Sequence, residues 1–416
     1  MKSPTHSRLI ALLAGAGWTV AALQAGAAVE EWPRLRGPDG TGVVEAPGLP
    51  TDFGQGSVLW TRDLGGAGHS SPVVREGKVF LTLIPAGQEE NREVICISAE
   101  TGEVEWRKAF PFQPYPQHSL NSYAASTAAV DGGGVYVFWT EAGGSEALSL
   151  DLQGNLRWRT PLGPFEAQHG SGASPVIVSD VLIVPKENRA PSSFLTGLDP
   201  KTGEELWKVS RPSERTPYVT PIVRRTGDGV QVVYSSTTFG LTALDPKSGK
   251  EQWKFDPDFE QRCVGSPVIM GEAVFAATGQ GGGGKESVAV RPGEGGAVKE
   301  LYRIERGLPY VPTPLYHIGL LFLMSDGGIL ACHRAADGEA LWRERVCGPI
   351  YSSPLCINGV LHLFSRQGEI VTVRAGERFE KLAETSVEEE IRATPAVVGD
   401  RLYVRTMTRL ICFGNR

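Results

Sequence analysis

LTALDPKSGKEQW (241–253) decides the fold, because the chain repeats it at LTGLDPKTGEELW (195–207) and VICISAETGEVEW (94–106). Looser copies stand at ALSLDLQGNLRW (147–158) and ILACHRAADGEALW (329–342). Each copy reads as a short apolar strand, a tight turn and a second strand ending in tryptophan. Working outward, every unit opens on a small residue followed by proline: Ser71-Pro72, Ser174-Pro175, Thr220-Pro221, Ser266-Pro267, Thr313-Pro314, Ser353-Pro354 and Thr394-Pro395. Thr127-Ala128 keeps the context without the proline. The spacings are 56, 47, 46, 46, 47, 40 and 41 residues. A repeat of this length built from short strands is the signature of a β-propeller, and eight starts predict eight blades.

The first unit shows the grammar. SSPVV (70–74) is a strand, REGK a turn, VFLTL and VICIS two more strands, and AETGE a tight turn before the strand that ends at Trp106. Short strands between Gly/Asp/Asn turns predict an all-β chain. No sustained helical periodicity interrupts them. Each blade is therefore expected to be a four-stranded antiparallel sheet.

Trp106, Trp158, Trp207, Trp253 and Trp342 occupy one place, just after the turn. A ring there is expected to lie flat on the next blade, where the Gly turn leaves room. Burial of this kind is worth about 3–5 kcal/mol on truncation to Ala. Tyr302 and the Phe379/Leu382 region are expected to take that place in two degenerate units. Trp60, in VLWTRDL (58–64), precedes the first Ser-Pro start, and the last unit lacks a fourth strand before Arg416. Strand 58–64 is thus expected to complete the last blade, closing the ring and removing its open edges.

The A-x-D-x-x-T-G-x-x-x-W pattern resembles the tryptophan-docking motif of quinoprotein-type eight-bladed propellers, the PQQ-like repeat family. Gly197-Leu198-Asp199 through Trp207 and Ala243-Leu244-Asp245 through Trp253 carry it most fully. The opening EWPRLRGPDGTGV (31–43) is similar to that of secreted PQQ-like repeat proteins. The chain is also similar to BamB-like proteins, the propeller lipoproteins of the outer-membrane barrel-assembly complex. The resemblance implies a non-catalytic scaffold for a protein or peptide partner in the envelope or outside the cell. It implies, as an alternative, a dehydrogenase using PQQ with a calcium ion. For that alternative Asn121, Glu187, Asn188 and Arg392 are the candidate site residues. The inserted length and adjacent cysteine pair of the alcohol-oxidising enzymes are missing, and no cofactor or metal is expected.

Three segments are expected: a signal peptide at 1–27, a lead segment at 28–56 and the propeller at 57–416. Lys2, His6 and Arg8 precede an apolar run, Leu9–Leu23, and Ala25-Gly26-Ala27 reads as a cleavage site. The run is too short for a confident membrane span. No cysteine lies near the cleavage site, so the expectation is a periplasmic or secreted monomer without a lipid anchor. Removing the leader leaves 39 basic and 47 acidic residues, a balance that argues against a nucleic-acid partner. Of six cysteines, Cys96, Cys332 and Cys412 align with Ala243 and read as small buried hydrophobes. Cys347 and Cys356 are close enough in sequence to leave a pairing open; Cys263 has no such cue.

Chain direction puts the T-G turns at one end of the ring. The loops before the first strands lie at the other, where function is expected. Three residues before each step's second residue stand His69, Ala125, Gly172, Tyr218, Val264, Val311, Tyr351 and Arg392, with Asn121, Tyr123, His169, Arg262 and Tyr310 nearby. Such groups converging on an axis form a funnel for an anionic or planar ligand or an inserted peptide. Alternatively, they plug the channel by bonding one another. Two loops exceed structural need: 107–126, with Phe112, Tyr115 and His118, and the hairpin 185–194, with Lys186, Asn188 and Arg189. GQGGGGKES (279–287) nearly spells a phosphate loop but joins two strands, so it reads as a hairpin. His317, His333 and His362 are scattered, no metal spacing or nucleophile elbow is present, and no catalytic residue is assigned.

Overall fold

The computed structural model describes residues 30–415. The expected leader at 1–27 lies outside them. Eight antiparallel sheets follow one another around a ring: blade one at 73–111, two at 129–161, three at 176–210, four at 222–255, five at 268–302, six at 315–345, seven at 355–386 and eight at 396–414. The fourth strand of blade eight is Val58–Asp63, paired antiparallel with Arg409–Gly414 with Trp60 opposite Cys412. Among the described residues there is no α-helix, hence none that could cross a membrane.

The docking rings explain how neighbours hold each other. Trp106 donates its indole N–H to Leu152 O (3.0 Å), Trp158 to Pro200 O (3.0 Å), Trp207 to Pro246 O (2.9 Å) and Trp342 to Gly376 O (2.9 Å). Each acceptor lies in the next blade. The glycine of that turn is required twice over. Gly249 sits at φ +69°, and a Cβ there would fall 2.6 Å from the Trp207 ring. Tyr302 docks likewise through its hydroxyl on Ala335 O (2.7 Å). Trp253 does not: its N–H goes to Gln231 of its own blade (3.1 Å). The next blade turns there through Gly293–Ala297 instead of a T-G hairpin.

Blade seven corrects one expectation. The register sets Ala383 opposite Thr372, where other blades carry the aromatic. Phe379 instead packs edge-on against Trp342 of blade six (5.3 Å). The small residue facing each ring is explained by the same register: Cys96 faces Trp106, Cys332 faces Trp342, Cys412 faces Trp60 and Gly197 faces Trp207. All six cysteines are free and buried, so Cys347 and Cys356 form no bridge.

The Ser/Thr of each opening step forms a girdle. The backbone N–H of Ser71 donates to the Thr127 hydroxyl, Thr127 to Ser174, Ser174 to Thr220, Ser266 to Thr313, Thr313 to Ser353, Ser353 to Thr394, and Thr394 back to Ser71, at 2.9–3.1 Å. The remaining link is made by the Ser266 hydroxyl donating to Thr220 O (2.8 Å). Thr127 keeps its place without a proline because the hydroxyl carries the contact.

The lead segment is a stopper. Trp32 pairs with Val74 of blade one in both directions at 2.8 Å, and Pro33 O accepts from Val130 of blade two. Arg34 donates to Pro221 O of blade four. Arg36 donates to Thr313 O (3.3 Å) and Pro314 O (3.1 Å) at blade six and to Pro354 O (3.2 Å) at blade seven. Val43–Val44 then adds a parallel strand to blade seven. Both arginines are 2% exposed. Burial lowers the Arg36 guanidinium to about 9 and that of Arg34 to about 10, so both remain charged at neutral pH. The charge of Arg36 is met by main-chain carbonyls that the ring presents to its axis, while Arg34 has one such carbonyl and the nearby charge of Asp39.

The seam between blades eight and one has its own lock. Trp60, Arg401 and Tyr403 all donate to Ala99 O, at 3.3, 2.8 and 3.1 Å. The fully buried Arg405 donates to Ser70 O, Ser70 Oγ and Thr82 O at 2.6–2.9 Å. A ring closed this way presents no unpaired strand edge at the join.

Candidate functional site

The axis is a blind well. Its cavity measures about 980 Å³, and the lining includes all eight hydroxyl residues of the girdle. Leu35 of the lead segment also lines it, so the segment that crosses the far end forms the floor. The mouth opens on the irregular loops. Of the sequence candidates, His69, Asn121, His169, Tyr218, Arg262, Tyr310, Tyr351 and Arg392 line this well, as do His118 and Arg189 from the two long loops. The channel is not plugged by their bonding to one another.

Two walls differ in charge balance. On the side of blades seven and eight, Glu390 accepts from both Arg366 (2.7 Å) and Arg392 (2.9 Å). Burial works against ionisation of Glu390, but the two arginine hydrogen bonds hold its carboxyl below the usual range. Arg392 also donates to Leu120 O (3.0 Å), and Arg366 lies over the Tyr351 ring (5.0 Å). His69 is 3.3 Å from Arg392 and is held neutral: burial, then Arg392 and Arg405, push its pKa down to about 3.

On the opposite side Arg262 donates to Gln168 Oε1 (3.0 Å) and lies over the Tyr218 ring (5.6 Å). Among the described residues Arg262, Arg189 and Arg215 form no ion pair within 4 Å. The Tyr218 hydroxyl is screened from water beside the His169 main chain, off the geometry of a full hydrogen bond. Burial pushes it up to about 12, so it stays a donor. His169 is lowered by burial and by Arg262. Asn121 fixes the base of this wall, donating to His169 O (2.7 Å) and Ser171 O (3.0 Å).

Five candidates fall elsewhere. Tyr123 donates to Tyr115 O (2.7 Å) and packs edge-on to Tyr115 and tilted against Phe112. Phe112 is buried with the Arg92 guanidinium 4.3 Å above its ring, and Tyr115 bonds the Thr140 hydroxyl (2.7 Å). These three form an aromatic anchor under loop 107–126, not its binding surface. Lys186 is fully buried, donates to Ser192 O (2.7 Å) and is lowered to about 8 by burial. Asn188 is also fully buried. Hairpin 185–194 turns these side chains inward because its strand is sandwiched between neighbouring blades. Sequence reasoning missed Gln168, Glu214, Arg215 and the girdle. The girdle's signal, a hydroxyl before every proline, was in plain view; the other three lie in loops without a repeat.

The residues do not fit PQQ with calcium. Asn121 and Arg392 line the well, but Glu187 is buried away from it in an ion pair with Arg211 (2.7 Å) and beside the Ser236 hydroxyl. Burial pushes the Glu187 carboxyl up while Arg211 works against it. The lining carries one carboxylate, Glu214. Among the described residues no group of three or more His, Cys, Asp or Glu stands together to hold a metal.

The sequence profile described as outer membrane protein assembly factor BamB matches residues 49–216 and 116–308. A search of the curated proteins finds no match. Among solved structures, BamB from Moraxella catarrhalis aligns at 15% identity with a TM-score of 0.61, over 86% of this chain and 97% of that one. A europium-containing methanol dehydrogenase aligns at 13% identity with a TM-score of 0.66, over 90% and 89%. The quinohemoprotein alcohol dehydrogenase from Comamonas testosteroni aligns at 14% identity with a TM-score of 0.62, over 92% and 80%. At these identities the structural likeness speaks for the fold alone.

Proposed function

This chain belongs to the family of the outer membrane protein assembly factor BamB, and we propose that it is an exported, non-catalytic propeller that holds a protein or peptide partner on its loop-bearing face. The observation that carries this reading is the well, open to the irregular loops and closed behind by the chain's own lead segment. A partner segment can enter from one face only. The long loops raise His118 and Arg189 at the mouth, where a partner would meet them first. The working compartment in this reading is the periplasm or the exterior, and envelope protein assembly is the process that the family description supports.

The test is site-specific photocrosslinking in an envelope fraction. A crosslinker at His118 or Arg189 is expected to give a discrete adduct. One at Ile318, 81% exposed on an opposite-end hairpin, is expected to give none. Equal capture at both ends, or capture at neither, rejects the reading. Addition of PQQ and calcium is expected to leave the melting temperature unchanged, since a ligand bound tightly to the native state raises it.

A further inference from the structure

We infer that the well recognises a carboxylate on an inserted acidic peptide, through the wall formed by Arg262, Tyr218 and Gln168. This deepens the partner-binding reading above and rests on it. The first observation is a charge inversion. The whole chain has a net charge of −6, yet the lining holds four arginines (Arg189, Arg215, Arg262, Arg392) and one glutamate. A cationic cleft in an acidic protein concentrates anions at its mouth.

The second observation says which wall is free. Arg392 already shares Glu390 with Arg366. Arg262 spends one Nη2–H on the neutral Gln168 and has no carboxylate partner among the described residues. Its Nε is screened from the well, so the Nη atoms are the donors on offer. The Tyr218 ring lies under the guanidinium and positions it, while the Tyr218 hydroxyl is itself screened from the well. A carboxylate arriving here gains a charge-assisted hydrogen bond from a guanidinium that lines the well and is positioned, but not neutralised, by Gln168 and the Tyr218 ring.

The third observation selects a peptide over a compact anion. The cavity of about 980 Å³ stands at the upper end of the range for small-molecule sites. Its mouth carries exposed Arg189 and Arg215, so positive charge extends beyond the Arg262 wall. Tyr310 lines the well further round the ring and offers apolar surface suited to aliphatic stems and peptide planes. The blind floor at Leu35 requires an inserted segment to end or turn back within the well.

Fluorescence anisotropy with short synthetic peptides tests this. The probes end in Asp or Glu, and their controls end in Asn or Gln amides of the same sequence. The acidic set is expected to bind the intact protein at least about tenfold more tightly, the scale of a charge-assisted hydrogen bond. Arg262→Gln is expected to remove most of that preference. Arg215→Gln, an exposed change that cannot unfold the protein, is expected to reduce it partially. No preference for the acidic set overturns the inference, as does full retention of the preference in Arg262→Gln. Citrate binding at equal affinity and displacing the peptides also overturns it, assigning the well to small anions. If crosslinking from the rim persists while the peptide preference is absent, the scaffold reading stands and this inference falls. If rim crosslinking is absent as well, both fall.

Discussion

The two ends of the ring both gather arginines onto the axis, and they use them in opposite ways. At the closed end Arg36 is surrounded by carbonyl oxygens at blades six and seven, and Arg34 is buried with one donor on Pro221 O at blade four. At the open end Arg262 keeps one neutral partner, and Arg189 and Arg215 remain exposed. Arg36, whose Nε and both Nη atoms all meet main-chain acceptors, is a fastener. A guanidinium left with donors facing an open well is available to a ligand. Sequence position does not separate these roles; the acceptors around each head group do.

That contrast can be broken most sharply by paired substitution. Arg36→Ala is expected to cost about 3–5 kcal/mol, because several buried carbonyls lose a charged donor together. Arg262→Gln is expected to change stability by no more than about 0.5 kcal/mol. Urea unfolding of both variants decides it, and equal costs would erase the distinction. A smaller effect is expected at the anchor that follows the stopper. Asn358 donates to Ala46 O and accepts from Ala46 N, both at 2.7 Å. Asn358→Gly keeps its left-handed φ of 52° comfortable and removes both bonds, with an expected cost of about 1–2 kcal/mol.

The smallest expected effect distinguishes the ends by titration. His362 packs against Phe53 of the lead segment (5.4 Å) and burial lowers it to about 4. His69 faces the well and is lowered to about 3. Both bind fewer protons folded than unfolded below the ordinary histidine value of 6.5. Their contribution to stability is therefore complete above pH 6.5 and is lost as pH falls toward 3–4. NMR titration with an acidic peptide present is expected to raise the His69 value and leave that of His362 unchanged. Movement of both, or of neither, contradicts the division of labour between the ends.

How much of this was legible in the sequence depended on repetition. Trp60 opposite Cys412 followed from counting strands, because an eight-unit ring with a missing last strand has one economical completion. The docking rings were legible where the T-G turn recurs and failed where it lapses. Trp253 turns to its own Gln231, and blade seven offers Ala383 instead of Phe379 or Leu382. Around the well, residues three before each step were legible because every first strand enters the axis at the same height. Lys186, Asn188, Tyr115 and Phe112 were misplaced because a loop's composition does not say which side chains turn inward.

The sequence by itself determined the blade number, the closure and the line of residues facing the axis, since each follows from a period that neighbouring units reinforce. Tertiary structure alone decided that EWPRLRGPDGTGV floors the channel and that Arg36 is sealed by carbonyls while Arg262 is not. Those facts depend on which acceptors, hundreds of residues away in the chain, the closed ring brings to each head group.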